Sequence, residues 1–177
     1  MNTKLIVLPT IVFLLSIPSL TQADVIAASS DHYQLQHTAT SNHSPDKVWA
    51  RLINPATWWH PDHTYSGDSA NLSLVPQAGG LWSENWGANS VLHGSVLLIQ
   101  ENEMLRLNAP FGPLQEMGVS VVWTISLSAT ESGTTVTFDE IANGTAASKL
   151  NELAPAVDFV KSEAIRRLTQ DVAPIDE

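Results

Sequence analysis

The chain has 177 residues, of which 44% are hydrophobic and 15% charged, and its 8 Lys and Arg against 18 Asp and Glu give a formal net charge of −10. This composition is too apolar for an intrinsically disordered chain. So few cations also argue against a nucleic-acid-binding protein, which needs clustered Lys and Arg to neutralise phosphates. The absence of cysteine excludes disulfides, thiolate metal sites and cysteine nucleophiles.

Residues 1–23 have the pattern of a secretory signal peptide. Lys4 precedes a nearly continuous apolar run, Leu5 to Leu20, which contains two prolines and falls short of the ~20 residues that comfortably span a bilayer. The small residues that follow predict cleavage after Ala23. An uncleaved membrane anchor is the alternative. We expect cleavage, and therefore a periplasmic or secreted protein with no stable membrane anchor.

Residues 24–31 are mostly small and polar, and we expect a flexible leader there. The alternation of apolar and polar residues over 33–40 predicts a half-buried strand. A short helix is expected next, because Ser44 suits an N-cap, Pro45 the first helical position and Asp46 the positive end of the helix dipole. One further short helical turn is expected after it.

The remainder of the chain has the pattern of strands and turns, followed by one long helix. Strands are predicted at Ala70 to Val75, Leu81 to Trp86, Val91 to Ile99, Met104 to Asn108, Val119 to Leu127 and Thr134 to Ala142. Glu131-Ser132-Gly133 joins the last two and predicts a hairpin. Apolar residues then recur at helical spacing over 150–168, which predicts an amphipathic helix. Pro155 within it implies either a kink or a helix that begins there.

These elements predict an α+β fold in a single domain over residues 32–172. An antiparallel sheet buries one face and needs a cover, and a lone amphipathic helix needs a sheet to pack on. Both needs are met by a helix-grip fold, in which a curved antiparallel sheet wraps around the long C-terminal helix. One helix cannot fill a wide concave surface, so we expect a cavity between helix and sheet.

The order of elements resembles the helix-grip fold of the SRPBCC superfamily, which includes START domains, polyketide cyclases and the activator of heat-shock ATPase family. The segments that resemble exported proteobacterial members are Val48-Trp49 with Trp58-Trp59, Pro61 to Asp68, Gly79-Gly80, Glu84, His93, Leu105 to Leu107, Gly112 to Gln115 and Ala154 to Asp158. The resemblance extends over residues 32–170. It implies a cavity for a hydrophobic ligand, but no single chemistry and no established catalytic residues.

Polar residues on the predicted inner face of the sheet are the candidates for chemistry. A carboxylate among tryptophans needs a partner or a proton, so Glu84 and His93 are candidates for orienting a ligand or for acid–base catalysis, with Glu140 as a third. The predicted apolar walls are Trp82, Leu97, Trp123 and Phe138. The alternative is that Glu84 and His93 form a structural pair and that the tryptophans are plain core.

The loop from Trp58 to Tyr65 is expected at the mouth of the cavity. Its aromatic residues Trp58, Trp59 and Tyr65 would stack on or shield a flat ligand, and His63 would contribute a polar contact. His60 and His63 alone are a weak metal motif, because no helix presents both rings on one face. His63, Glu84 and His93 would make a two-histidine, one-carboxylate metal site if they converge.

The main functional prediction is an exported protein that binds a small apolar or aromatic ligand and has no resident cofactor. One alternative is a polyketide cyclase-like enzyme that uses Glu84 and His93 for proton transfer. Another is the metal-dependent site just described. A protein-interaction module is a fourth possibility, although export would separate it from a cytosolic partner. The sequence contains no phosphate-binding loop or dinucleotide fingerprint and leaves the oligomeric state open.

Overall fold

The alternating segments of the sequence pair into one antiparallel sheet in the computed structural model, which describes residues 22–170. Its strands are β1 (Gln22–Ser29), β2 (His32–Ser41), β3 (Leu72–Leu74), β4 (Leu81–Trp86), β5 (Asn89–Gln100), β6 (Met104–Asn108), β7 (Ser120–Thr130) and β8 (Gly133–Asn143). The eight strands are ordered β1-β2-β8-β7-β6-β5-β4-β3, so the only sequence-distant pairing joins β2 to β8. The predicted hairpin is confirmed as β7 and β8.

Three α-helices accompany the sheet: α1 (Pro45–Leu52), α2 (Pro113–Glu116) and α3 (Leu150–Thr169). Helix α1 begins as predicted, with Ser44 in an extended conformation at the N-cap and Pro45 in the first turn. The predicted strands and helices are therefore confirmed in type, although α2 falls where the sequence indicated only a loop. In the described part of the chain, no helix is long and apolar enough to cross a membrane.

Helix α3 packs across the concave face of the sheet, chiefly against β1 and β2, which establishes the predicted α+β helix-grip fold. It starts at Leu150 and continues through Pro155, so the alternative in which the helix begins at the proline is wrong. Ala164, Ile165 and Leu168 in its second half are buried against the sheet. The first half is less tightly covered, and this part of the helix borders the cavity described below.

The segment predicted to be a flexible leader differs in the structure. Residues 22–29 form β1, an edge strand paired with β2, and the turn that follows is fixed by the Leu150 amide, which donates to the Ser30 carbonyl oxygen at 2.9 Å. The run Val25 to Ala28 has the apolar and β-branched character that favours a strand. Residues 1–21, which carry nearly all of the predicted signal peptide, lie outside the described residues.

Strand β5 contains two bulges that change which residues face inward. Trp82 pairs with Gly94 and Ser83 with Leu92, which leaves His93 as an extra residue. The pairing with β6 skips Leu97 in the same way. Each bulge shifts the alternation by one residue. His93 is consequently buried, whereas Leu97 is 49% exposed and lines no cavity wall, which corrects the prediction made from simple alternation.

Candidate functional site

A cavity of about 490 Å³ opens between α3 and two loops, residues 59–65 and 109–116. Its walls are largely apolar. The lining residues are Trp59, His63, Thr64, Tyr65, Ala109, Phe111, Gly112, Pro113, Leu114, Glu116, Glu140, Leu153, Ala156, Val157, Val160 and Lys161. This volume falls within the range of small-molecule sites in proteins. The cavity lies beside the C-terminal helix, as predicted, but its other walls are mainly loops, and among its lining residues only Glu140 belongs to a strand.

A buried ion pair forms the polar part of the cavity wall. Lys161 on α3 places its Nζ 2.6 Å from Oε2 of Glu140 on β8, and each side chain is only 3% exposed. The Tyr33 hydroxyl on β2 donates to the other oxygen, Oε1 of Glu140, at 2.6 Å. The Lys161 ammonium also lies over the ring of Trp123, 3.2 Å from its centroid. The pair therefore faces the cavity on one side and aromatic core on the other.

The electrostatics of this group follow from its burial. Burial lowers the pKa of Lys161, and the opposing effect of the Glu140 charge is smaller. Burial raises the pKa of Tyr33, with the Glu140 charge and hydrogen bond adding to the shift, so Tyr33 stays a donor. Apart from this pairing with one another, Lys161 Nζ and Glu140 Oε2 have no hydrogen-bond partner among residues 22–170.

Sequence reasoning named Glu140 but missed Lys161 and Tyr33. A signal for Lys161 exists, because Val157, Lys161, Ala164 and Leu168 are spaced by 4, 3 and 4 residues and so share one face of α3. A lysine in that apolar stripe must be buried, and a buried lysine requires an acidic partner. Tyr33 gives no such signal, since a tyrosine in an alternating strand is ordinary core.

Glu84 and His93 form a second buried pair, away from the cavity. His93 Nε2 donates to Oε2 of Glu84 at 2.8 Å. The same carboxylate accepts from the backbone amides of Tyr65 and Ser66, at 3.0 and 2.5 Å. Burial would raise the pKa of Glu84, but these hydrogen bonds outweigh burial and lower it. Burial lowers the pKa of His93 despite the carboxylate. Both oxygens of Glu84 are hydrogen-bonded, and the carboxylate anchors the loop that borders the cavity.

The other predicted site residues divide between the cavity and the core. Trp59, His63 and Tyr65 line the cavity, as expected of the mouth loop. The residues that lie instead in the interior, 0–1% exposed, are Trp58, Trp82, Trp123 and Phe138. These four aromatic rings contact one another edge to face or at a tilt and form the core beneath the cavity, so the plainer alternative holds for them. Phe111 is also part of the cavity wall.

The metal site predicted from His63, Glu84 and His93 does not assemble. His63 Nε2 instead lies 3.0 Å from Oε2 of Glu163 on α3, while Glu84 is occupied by His93 and the two loop amides. In the described part of the chain, the one group of three ligands close enough to share a metal ion is His60, His63 and Glu163. The prediction failed because His63 pairs with Glu163, which lies on α3. The alternation of residues along the strands gives no information about which helix residue reaches the loop.

The comparisons with known proteins agree with this architecture. The family model described as "Activator of Hsp90 ATPase homolog 1-like protein" matches residues 42–170. A crystal structure of a Rhodobacter sphaeroides protein is similar with a TM-score of 0.55 at 19% identity, over 84% of this chain and 96% of that one. CalU16 from Micromonospora echinospora is similar with a TM-score of 0.56 at 14% identity, over 89% and 88%.

DynU16, a protein in the dynemicin biosynthetic locus, is similar with a TM-score of 0.55 at 15% identity, over 77% of this chain and 45% of that chain. Comparison with curated proteins gives no match. At these identities, the solved structures establish a shared fold and leave the chemistry of the site to be argued from its own residues.

Proposed function

The chain belongs to the family of activator of Hsp90 ATPase homolog 1-like proteins, within the SRPBCC superfamily, and we propose that it binds a small, neutral, mainly apolar molecule in the cavity beside α3. The observation that carries the proposal is the Lys161–Glu140 pair in an otherwise apolar wall. The ligand-binding fold of the SRPBCC superfamily also supports the proposal. The class of ligand is inferred from the cavity itself.

The ion pair selects for a neutral ligand. Lys161 and Glu140 cancel one another's charge, so a ligand carboxylate or ammonium would have to displace one partner and leave the other buried and unpaired. The Lys161 N–H groups that are not directed at Glu140 can instead donate to a carbonyl or hydroxyl oxygen of the ligand. The net charge of −10 further disfavours anionic ligands.

The apolar walls favour an aromatic or alicyclic body. Trp59 and Phe111 stack with a 5.3 Å centroid separation and an interplanar angle of 22°, which offers a flat aromatic surface beside the cavity. Leu153, Val157 and Val160 provide aliphatic contacts from α3. A rigid, flat ligand loses little conformational entropy on entering such a site.

The proposed place of action is the periplasm or the exterior of the cell. The support is the pattern of residues 1–23, with cleavage after Ala23. Such cleavage would remove two residues from β1 and leave the paired run Asp24 to Ser29 in place. The intact mass of the protein recovered from the cell envelope and from the medium tests both processing and location. A full-length mass in the cytosolic fraction would contradict export.

The binding proposal is tested by filling the cavity. The probe is 2-acetylnaphthalene, a neutral aromatic ketone, with titration followed by calorimetry. Val157→Trp introduces a large ring into the cavity and should weaken binding at least tenfold. Phe159→Trp is the matched control, because Phe159 is on the same helix, 65% exposed and outside the cavity lining, and it should leave affinity within twofold. Equal binding by both variants would place the ligand elsewhere.

A second comparison tests the role of Lys161. 2-Ethylnaphthalene has nearly the shape of the ketone but lacks its carbonyl oxygen. The double variant Glu140→Leu/Lys161→Met removes the ammonium, retains an apolar side chain of similar length at position 161 and leaves no carboxylate buried and unpaired. A hydrogen bond to a charged group contributes about 1.5–3 kcal/mol, so the ketone should bind about 10-fold to 100-fold less tightly to the variant. The hydrocarbon should bind within twofold. Parallel losses for both ligands would remove the proposed polar contact.

An acid–base enzyme is a second candidate, and it is better supported at Glu140 and Lys161 than at Glu84 and His93. Only the first pair borders the cavity, and burial lowers the pKa of Lys161, which makes its ammonium a better proton donor. The test is exchange of the methyl protons of 2-acetylnaphthalene with deuterium oxide, followed by NMR. Protein-dependent exchange that Glu140→Gln abolishes would establish proton transfer. Binding without exchange would leave the protein a binder.

A further inference from the structure

We propose that His60, His63 and Glu163 form a binding site for a divalent transition-metal ion, with Zn²⁺ as the representative ion, at the edge of the cavity. His60 caps a single 3₁₀ turn, residues 61–63, and His63 is its last residue, which places the two ring centroids 5.5 Å apart. Glu163 reaches both rings from α3. The turn therefore directs both imidazole rings towards the Glu163 carboxylate. Two histidines separated by two residues in an irregular loop would not be held in this way.

The separations match those of a coordinated ion. Zinc bonds of 2.0–2.1 Å in tetrahedral geometry hold neighbouring ligand atoms about 3.3–3.4 Å apart. His63 Nε2 lies 3.0 Å from Oε2 of Glu163, and His60 Nε2 lies 3.7 Å from Oε1. One potential ligand atom from each of the three residues lies within 4.8 Å of the others. Small side-chain rotations therefore suffice to bring all three ligands around one ion.

The ligand chemistry favours zinc, nickel or copper over magnesium or calcium. Two imidazole nitrogens and one carboxylate suit the borderline-soft divalent ions, whereas magnesium and calcium prefer an all-oxygen shell. The three side chains are 21–26% exposed, so an ion can reach them from solvent. Arg166 Nη2, 3.9 Å from Oε1 of Glu163, is the cation that the metal would have to outcompete, and it is on the exposed side of α3.

Coordination through Nε2 of His60 would change one hydrogen bond of the turn. The Asp62 amide donates to His60 Nδ1 at 3.1 Å, so Nδ1 acts as an acceptor in this structure. Coordination through Nε2 places the ring proton on Nδ1, and this amide hydrogen bond would then be lost. The Asp62 carboxylate, 3.8 Å from Nδ1, is the nearby group that could accept from the Nδ1 proton after a side-chain rotation, as carboxylates do for many histidine ligands of zinc.

The location connects the site to the cavity without making one depend on the other. His63 is both a proposed ligand and part of the cavity lining, so an open coordination position on the ion would be accessible to water or to a bound carbonyl oxygen. Three protein ligands with an open position are typical of catalytic rather than structural zinc sites. The metal proposal rests on side-chain geometry alone and stands whether or not an apolar ligand binds.

Calorimetric titration of the full domain with ZnCl₂, and with CoCl₂ followed by visible absorption, tests the site. We expect one equivalent of metal to bind, with the strong visible bands of a four- or five-coordinate Co²⁺ complex. His63→Gln and Glu163→Gln should each weaken binding at least tenfold and abolish the bands. His32→Gln is the matched control, since His32 is a histidine elsewhere on the surface, paired with Asn143, and it should leave binding unchanged.

Thermal unfolding provides a second readout. The site joins the 3₁₀ turn to α3, so saturating Zn²⁺ should raise the Tm of the wild type and of His32→Gln but not that of His63→Gln or Glu163→Gln. The melting temperature of each variant without metal reports whether it is folded. Absence of binding at millimolar metal, or binding that both ligand variants retain, would overturn the proposal.

Discussion

The protein contains two buried acid–base pairs whose hydrogen bonding differs. Glu84, beside His93, accepts hydrogen bonds from that histidine and from the amides of Tyr65 and Ser66, and it borders no cavity. Glu140, beside Lys161, accepts one hydrogen bond from Tyr33, and its other oxygen is paired only with Lys161 Nζ among residues 22–170. Both oxygens of Glu84 accept hydrogen bonds from the backbone or from His93, whereas Lys161 retains N–H groups without an acceptor in the wall of an apolar cavity.

This difference separates a structural role from a functional one more reliably than burial does. Both carboxylates are almost completely inaccessible to solvent, and both have a basic partner. A buried polar atom without a hydrogen-bond partner is energetically unfavourable. Such an atom beside a cavity therefore indicates a group whose hydrogen bonding a bound ligand would complete. A fully hydrogen-bonded pair next to a loop indicates that the pair fixes the loop conformation.

The largest effect is expected from removal of one member of the cavity pair. Glu140→Leu leaves the Lys161 ammonium buried without a counter-charge and removes the acceptor of the Tyr33 hydroxyl. Breaking a buried pair in this way destabilises proteins by about 3–5 kcal/mol. Urea unfolding should show a loss of this size in the free energy of unfolding.

The control for this prediction is the double variant Glu140→Leu/Lys161→Met, in which the orphaned charge is also removed. Replacing both members of a buried pair by apolar residues is often neutral or stabilising, so the double variant should regain about 2 kcal/mol or more relative to Glu140→Leu. If the double variant is no more stable than the single one, the loss comes from packing rather than from an uncompensated charge.

A smaller effect is expected from Glu84→Gln. The amide retains one acceptor oxygen but loses the charge that strengthens the hydrogen bonds from Tyr65, Ser66 and His93. Since a hydrogen bond to a charged group contributes about 1.5–3 kcal/mol, we expect a destabilisation of about 2 kcal/mol. Hydrogen exchange at the Tyr65 and Ser66 amides should accelerate beyond that of the sheet. Unchanged exchange at these amides would contradict an anchoring role.

The pH dependence of stability should show the effect of the Glu84–His93 pair. Burial lowers the pKa of His93 below 6.5, so as the pH falls below about 6.5 the unfolded chain takes up a proton that the folded protein does not. Stability is therefore lost on acidification. The lowered pKa of Glu84 acts in the same direction below about pH 4.5, where the folded carboxylate stays ionised longer than the unfolded one.

Chemical denaturation between pH 7.5 and 5 measures this dependence. His93→Gln keeps a donor for Glu84 but has no titrating ring, so its free energy of unfolding should fall less steeply over this interval than that of the wild type. The second buried histidine, His37, also has a pKa lowered by burial and maintains part of the slope in the variant. Identical slopes in both proteins would rule out His93 as the source.

The fold could be predicted from the sequence because its signals are local. The alternation in β7 and β8 and the stripe on α3 each require one partner surface, and a helix on a curved antiparallel sheet is the arrangement that provides both. Leu97 shows where local rules fail. A bulge is a property of the pairing between two strands, and its position in β5 cannot be obtained by counting alternate residues.

The candidate site could be predicted only in part, because its residues come from distant segments. The mouth loop was found through its aromatic residues, and Glu140 through its strand face. Lys161 and Glu163 are separated from their partners by 21 and 100 residues along the chain. Their roles depend on how α3 is rotated about its axis on the sheet. The apolar stripe identifies which face of α3 is buried, but it does not identify the individual contacts that residues on this face make.

The smallest effect is expected at a third pair, which is more exposed than the other two. His37 Nε2 donates to Oδ1 of Asp158 at 2.8 Å, with the histidine 1% and the aspartate 28% exposed. Burial lowers the pKa of His37 even though the Asp158 charge opposes the shift, so the ring is neutral near pH 7 and needs an acceptor rather than a counter-charge. Asp158→Asn keeps that acceptor in its side-chain carbonyl. The change in the free energy of unfolding at pH 7.5 should stay below about 1 kcal/mol.

The matched variant Asp158→Leu, which has no acceptor, should cost more, because it leaves the His37 N–H buried and unpaired, a loss of about 1–3 kcal/mol. Equal losses in the two variants would show that the charge of Asp158, and not its hydrogen-bond acceptor, stabilises His37. Hydrogen-bond completeness would then be the wrong basis for distinguishing the pair at Glu84 from the pair at Glu140, and net charge would have to replace it.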